Sequence, residues 1–75
     1  MNYMKTVSVF KTSVNKKQDI KRIRPLLNRL IATNGRWNFD LEDCDRILRV
    51  ESQVCLENEV INLLRYCNHE CQALE

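Results

Sequence analysis

The chain has 75 residues, of which 44% are apolar and 29% charged, and its formal net charge is +2. This length and composition exclude a second folded domain and an intrinsically disordered chain, so we expect one globular domain over residues 1–75. The sequence has neither the apolar run of ~20 residues that a membrane helix needs nor a recognisable leader, which predicts a cytoplasmic protein without a membrane partner. Its four cysteines are then expected to be reduced thiols.

The first predicted element is a strand in the segment KTVSVFKT, which alternates and is rich in β-branched residues. We expect Val7 and Val9 on its buried side and Phe10 on the open side of the sheet. The polar residues that follow predict a loop in which Ser13 or Asn15 caps the next helix.

A helix is predicted from Lys16 to Ile31, because apolar side chains recur at steps of three and four residues and form one stripe. Pro25 lies inside this segment, where a proline removes one backbone hydrogen bond and costs about 3 kcal/mol. The stripe stays in phase on both sides of Pro25, which predicts one kinked helix rather than two. Its members are Ile20, Ile23, Leu27, Leu30 and Ile31.

The segment RWNFDLED alternates without exception and is the clearest strand of the chain. A tight turn of Asp43, Cys44 and Asp45 and a further strand in RILRVE follow it, which predicts an antiparallel hairpin. The predicted buried wall of the sheet consists of Val7, Val9, Trp37, Phe39, Leu41, Leu48 and Val50.

A second helix is predicted from Leu56 to Cys67, and a short edge strand in HECQAL follows it. The element order is therefore βαββαβ. This order predicts an α+β, ferredoxin-like fold, in which a four-stranded antiparallel sheet carries both helices on one face.

The charges are divided unevenly along the chain. Residues 1–36 contain nine Lys or Arg and one acid, which gives +8, whereas residues 37–75 contain three Arg and nine acids, which gives −6. Two interpretations of this division are possible. In the first, two solvated faces of opposite charge attract each other within the fold; in the second, the basic residues form a docking surface for an acidic partner. In the second interpretation the docking residues are Lys16, Lys17, Lys21, Arg22 and Arg24.

The length, the element order and the run FDLEDCDRILRVES resemble the heavy-metal-associated domain family, the small ferredoxin-like domains of copper chaperones and metal pumps. The family binds a soft metal ion through a Cys-x-x-Cys pair in its first loop. The matching loop here, KTSVNKKQ from Lys11 to Gln18, contains no cysteine, histidine or methionine. The resemblance therefore implies a domain without the usual metal loop and without a cofactor, which acts as a protein-interaction module that docks an acidic partner by its basic helix.

The segment RYCNHEC holds two cysteines and the only histidine of the chain. In a βαββαβ sheet the first strand–helix loop, the hairpin turn and the second helix–strand loop emerge at one end. Cys44, Cys67, His69 and Cys71 then converge, and this ligand set suits a copper or zinc ion. Alternatively, both cysteines of the segment are buried core thiols and the histidine is solvated. Metal binding or transfer at this displaced site is the second functional hypothesis.

Other classes of function find less support in the sequence. The thiols have no recognisable catalytic partners, which predicts that the protein is not an enzyme. A specific nucleic-acid partner is not expected, because the strand RILRVE lacks stacking aromatics and the acids Asp40, Glu42 and Glu51 repel phosphates. We expect a monomer or a weak dimer, the dimer forming through the open sheet.

Overall fold

The structure is a computed structural model that describes residues 6–31, 35–40 and 46–74. Its elements are β1 (Thr6–Thr12), α1 (Lys17–Ile31), β2 (Gly35–Asp40), β3 (Ile47–Ser52), α2 (Glu57–Tyr66) and β4 (Cys71–Leu74). The predicted α+β, ferredoxin-like class is confirmed. The predicted hairpin turn with Cys44, and Leu41 before it, lie outside the described residues.

The four strands form one antiparallel sheet in the order β2-β3-β1-β4. β3 lies between β1 and β2, and β1 lies between β3 and β4, so each helix connects two strands that are separated by a third. This is the split β-α-β arrangement. β2 and β4 form the two edges, and the edge position predicted for the last strand is confirmed.

α1 continues without a break through Pro25. The apolar stripe explains why the helix tolerates a residue that costs about 3 kcal/mol. Ile23, Leu27 and Ile31 are buried on the sheet side, and complete burial of such a side chain contributes about 1.5–3 kcal/mol. Neither described helix is long and apolar enough to cross a bilayer.

The buried apolar side chains of the described residues form one hydrophobic core between the sheet and the two helices. Buried side chains of α1 and of α2, among them Val60 and Leu64, share one cluster with Phe10, Leu48 and Val50 of the sheet. Both helices therefore cover the same face of the sheet, as the sequence predicts.

The predicted facing of β1 is wrong. Phe10 is completely buried, whereas Val7 is 56% exposed. The register gives the geometric reason, since Phe10 lies opposite the buried Leu48 and Val7 lies opposite Glu51, and opposite residues of an antiparallel pair share a face. β1 carries apolar residues on both faces, and a phenylalanine gains more free energy from burial than a valine. The larger side chain therefore occupies the core.

The facing of the two hairpin strands is confirmed. Trp37 lies opposite Val50 and Phe39 lies opposite Leu48, all on the core face. Trp37 and Phe39 are partly buried against the core, and their rings meet edge to face with centroids 5.8 Å apart. Six of the seven predicted wall residues lie in the described ranges, and four of them face the core. The other two, Val7 and Val9, face outward, since they lie opposite Glu51 and Arg49.

Candidate functional site

The outer side of α1 carries the basic residues that the sequence predicts for partner docking. Their side chains are exposed along the helix and at the residue before it. Within the described ranges, none of them forms an ion pair with a carboxylate. We call this surface the basic face, and it consists of Lys16, Lys17, Lys21, Arg22, Arg24 and Arg29.

The ion pairs among the described residues do not join the basic face to the acidic second half of the chain. Arg36 Nε lies 3.2 Å from Glu51 Oε2, across the β2–β3 ladder. His69 Nε2 lies 4.0 Å from Asp19 Oδ1. Direct ion pairs with the acidic half therefore do not hold the six cations of the basic face in place within the described part of the chain.

One side of the basic face borders strand β2. Lys17, Lys21, Arg24 and Asn28 follow one another at steps of four, three and four residues, so their side chains form one ridge along the helix. The indole Nε1–H of Trp37 on β2 donates a hydrogen bond of 2.9 Å to Asn28 Oδ1. This contact fixes the ridge beside the strand, and we call these four helix residues the β2-side ridge.

A groove separates the β2-side ridge from the strand. Trp37 is partly exposed beside it, with a cation from each element nearby. The groove is lined by Arg24, Asn28, Ile31, Gly35, Arg36 and Trp37. A groove that combines a partly exposed aromatic ring with the exposed cation Arg24 suits an acidic partner with apolar side chains.

The loop between β1 and α1 is tied to the segment that follows α2. The Ser13 N–H donates to the Glu70 carbonyl (3.1 Å), and the Glu70 N–H donates to Ser13 Oγ (2.9 Å). Ser13 Oγ also lies 3.2 Å from His69 Nδ1. The prediction that these two segments lie at one end of the sheet is confirmed, and we call this set of contacts the loop junction.

The loop junction corrects the predicted role of Ser13. α1 begins at Lys17, and the Lys16 carbonyl accepts hydrogen bonds from the Asp19 and Ile20 N–H groups. Lys16 therefore occupies the capping position that the sequence predicts for Ser13 or Asn15. Ser13 is three residues upstream and bonds to a distant segment. Its partners are 56 and 57 residues away along the chain, and no local pattern predicts contacts of that kind.

His69 lies between the loop junction and α1. Its Nδ1 faces Ser13 Oγ and its Nε2 faces Asp19 Oδ1, and only 15% of its side chain is exposed. In the tautomer whose Nδ1 accepts a hydrogen bond from the Ser13 hydroxyl, the ring N–H is at Nε2, toward the Asp19 carboxylate. Both ring nitrogens are then directed at protein groups, so a metal ion would have to displace one of them.

Burial disfavours the thiolate form of the two described cysteines of the predicted metal site. Burial raises the pKa of Cys71 to about 11, against the opposing charge of Arg65. Burial also raises the pKa of Cys67, where Arg22 acts in the opposite direction. Metal ligands and nucleophiles are thiolates, and a raised pKa disfavours the thiolate at neutral pH. These shifts favour the core-thiol interpretation for Cys71, which is 8% exposed.

The four predicted metal ligands are only partly brought together. His69 and Cys71 line one groove near the start of β4, while Cys67 does not line it. Cys44 lies outside the described residues. Within residues 6–31, 35–40 and 46–74, no group of three or more His, Cys, Asp or Glu side chains is placed to hold a metal ion.

Sequence reasoning missed the roles of Asn28 and Asp19. Asn28 is an exposed polar residue within a basic helix, and Asp19 is the single acid of the first 36 residues. An isolated acid in a basic segment is a signal for a specific contact, and Asp19 does face a histidine.

Comparison of the chain with protein-family models, with curated proteins and with solved structures gives no match. The resemblance to heavy-metal-associated domains stays a prediction from the sequence.

Proposed function

We propose that this domain is a non-catalytic protein-interaction module that docks an acidic partner protein through the basic face of α1. The observation that carries the proposal is the basic face itself: six exposed cations on and just before one 15-residue helix, none paired with a carboxylate in the described part of the chain.

The positions of these cations are unfavourable for the helix alone. Lys16 and Lys17 lie at the N-terminus of α1, where the helix dipole disfavours positive charge by about 0.3–1 kcal/mol per residue. Lys17 and Lys21 are four residues apart, and like charges at this spacing cost about 0.2–0.5 kcal/mol. Folding stability therefore does not favour this arrangement, and an acidic partner would relieve the repulsion.

Docking of this kind acts mainly on the rate of association. Attraction between unit charges at 4 Å is about 1 kcal/mol in bulk water and about 4 kcal/mol near a protein surface. Charges beyond about 8 Å are screened at physiological ionic strength. We therefore expect complementary charge to raise the association rate at low salt and to lose most of its effect at high salt.

A protein partner is favoured over a nucleic acid by the facing of the aromatic side chains. Phe10, Trp37 and Phe39 lie on the helix-covered side of the sheet, so the described open face offers no platform on which bases stack. We place the interaction in the cytoplasm, since Cys55, Cys67 and Cys71 are free thiols, as expected in a reducing compartment. The domain is expected to act as a monomer or a weak dimer.

The proposal is tested by titrating the isotope-labelled domain with a glutamate-rich peptide and following its amide resonances at about 50 and 300 mM salt. We expect the shifts to map to α1 and the dissociation constant to rise about tenfold or more with salt. Lys21→Glu with Arg22→Glu should weaken binding. Arg49→Glu with Arg65→Glu, which changes the net charge equally at exposed positions away from α1, is the matched control. Equal effects of the two double variants, or salt-independent binding, would contradict the proposal.

A further inference from the structure

Strand β2 lies at an edge of the described sheet, beside the basic face, and we propose that this edge binds an extended acidic segment of the partner as an additional strand. The inference rests on the proposed function and adds the conformation of the bound partner and its place on the domain. It is carried by the sheet order, by the β2-side ridge and by the groove at Trp37.

The edge of β2 has the form that strand addition requires. Among the described strands, β2 has one neighbour, β3. Its six residues pair with β3 in continuous register, without a bulge or a proline. No strand in the described ranges pairs with the other side of Gly35–Phe39, so the outward backbone groups there form a row of donors and acceptors that an added strand can use. Addition of a peptide strand to such an edge is a common mode of recognition.

The charges beside this edge select an acidic segment. Side chains of an added strand alternate between the two faces of the sheet, so every second one would lie next to the β2-side ridge. There Lys21 and Arg24 are exposed and form no ion pair with a described carboxylate. On the open face the nearest cation, Arg36, already pairs with Glu51 at 3.2 Å. Selection for carboxylates therefore acts on the helix-facing positions of the added strand.

Trp37 supplies the apolar contact at the same place. It points toward the helix side of β2, is held by Asn28 at 2.9 Å and keeps part of its ring exposed in the groove. An aromatic side chain that is fixed and partly exposed is typical of the residues that contribute most to binding energy. It is also the only tryptophan of the chain, so its fluorescence reports on this groove alone.

The opposite edge of the sheet is less suited to the same partner. β4 has only four residues. The groove beside it is lined by Glu70 as well as by Lys11 and Arg65. A carboxylate there meets charges of both signs, so this edge discriminates poorly in favour of acidic segments.

The test uses a peptide with glutamate at every second position and valine or threonine between, together with two N-methylated versions. One version is methylated on the glutamates, and the other on the intervening residues. In a strand, the amides of alternate residues point to opposite edges. Only one of the two sets of peptide amides, those of the glutamates or those of the intervening residues, can therefore bond to β2, and methylation of that set alone should prevent strand addition. We expect one version to bind about tenfold or more weakly than the parent, because each lost hydrogen bond costs about 1 kcal/mol, and the other to bind like the parent.

Two further readouts locate the bound peptide. Its addition should shift the Trp37 emission and the amide resonances of Gly35–Asp40. Lys21→Glu with Arg24→Glu, on the ridge, should weaken binding more than Arg22→Glu with Arg29→Glu, which makes the same charge change about 120° further around the same helix. Helical content and resonance dispersion confirm that each variant is folded.

The outcomes separate this inference from the proposed function. If the parent peptide binds in a salt-dependent manner but both methylated versions bind equally, or the β2 amides do not shift, the added-strand inference is overturned while acidic docking stands. If no acidic peptide binds at low salt, both are overturned. Loss of binding in one methylated version only, with shifts at β2, supports both.

Discussion

Replacement of Phe10 tests the facing of β1, on which the identity of the core and of the open face depends. Phe10→Ala removes a completely buried side chain that lies opposite Leu48, and such truncations cost about 3–5 kcal/mol. A domain of 75 residues has a free energy of unfolding of about 4–11 kcal/mol, taking about 0.05–0.15 kcal/mol per residue. The variant is therefore expected to lose roughly a quarter or more of its stability. A loss of 3 kcal/mol lowers the melting temperature by about 12–24 °C.

Val7→Ala is the matched control in the same strand. Val7 is 56% exposed and lies opposite Glu51, so its truncation should change the free energy of unfolding by less than about 0.5 kcal/mol. Urea denaturation followed by far-ultraviolet circular dichroism measures both variants. Phe10→Leu provides a milder change if the alanine variant does not fold. A larger loss for Val7→Ala than for Phe10→Leu would refute the facing of β1.

Four further expected outcomes concern two substitutions, a thiol modification and a change of pH. Gly35→Ala should destabilise the domain by about 1–3 kcal/mol, because its β-carbon would overlap the Glu51 carbonyl oxygen of β3; urea denaturation measures this. Ser13→Ala removes the acceptor of the Glu70 N–H and should cost about 1–2 kcal/mol and speed hydrogen exchange of that amide; an unchanged exchange rate would contradict the loop junction. Cys71, with its pKa raised to about 11, should react with iodoacetamide at pH 8 more slowly than the exposed Cys55. Above about pH 9 the Cys71 thiol loses its proton in the unfolded chain but keeps it in the folded one, because its pKa is raised to about 11 only on folding. The free energy of unfolding should therefore decline as the pH rises from about 9 toward 11.

The elements that the sequence predicts correctly are those with one apolar stripe. α1 and α2 each have a single side on which large apolar residues recur, so only one orientation buries them. In β3 the repeated apolar side is that of Leu48 and Val50, with Ile47 alone on the other face. The same holds for Trp37 and Phe39 in β2. These patterns suffice for the element order and for the placement of both helices on one face, because short connections leave few alternatives.

β1 shows where periodicity stops being informative. Both of its faces carry apolar residues, with Val7 and Val9 on one and Phe10 on the other. Alternation then predicts a strand but not its orientation. The orientation depends on the free energy of burying a larger ring and on the register with Leu48, which is a tertiary property.

The candidate site was predictable in its charges and not in its contacts. The basic residues of α1 are apparent from composition and spacing alone. The hydrogen bond from Trp37 to Asn28 and the contacts of Ser13 with His69 and Glu70 join residues of different elements. They depend on how the helices sit on the sheet, which one-dimensional patterns do not encode. The thiols are a second example. Their residue type suits a metal ion, but burial raises the pKa of Cys71 and Cys67, and burial depends on the tertiary structure.

The central claim is that the exposed cations of α1 bind an acidic protein segment. Its most direct test is the amide-resonance titration of the labelled domain with a glutamate-rich peptide at low and high salt. The account predicts saturable shifts on α1 and the adjoining strand β2 that weaken about tenfold or more as salt rises from about 50 to 300 mM. Shifts located on the β4 edge or on the open face instead, or binding that is indifferent to salt, would contradict it.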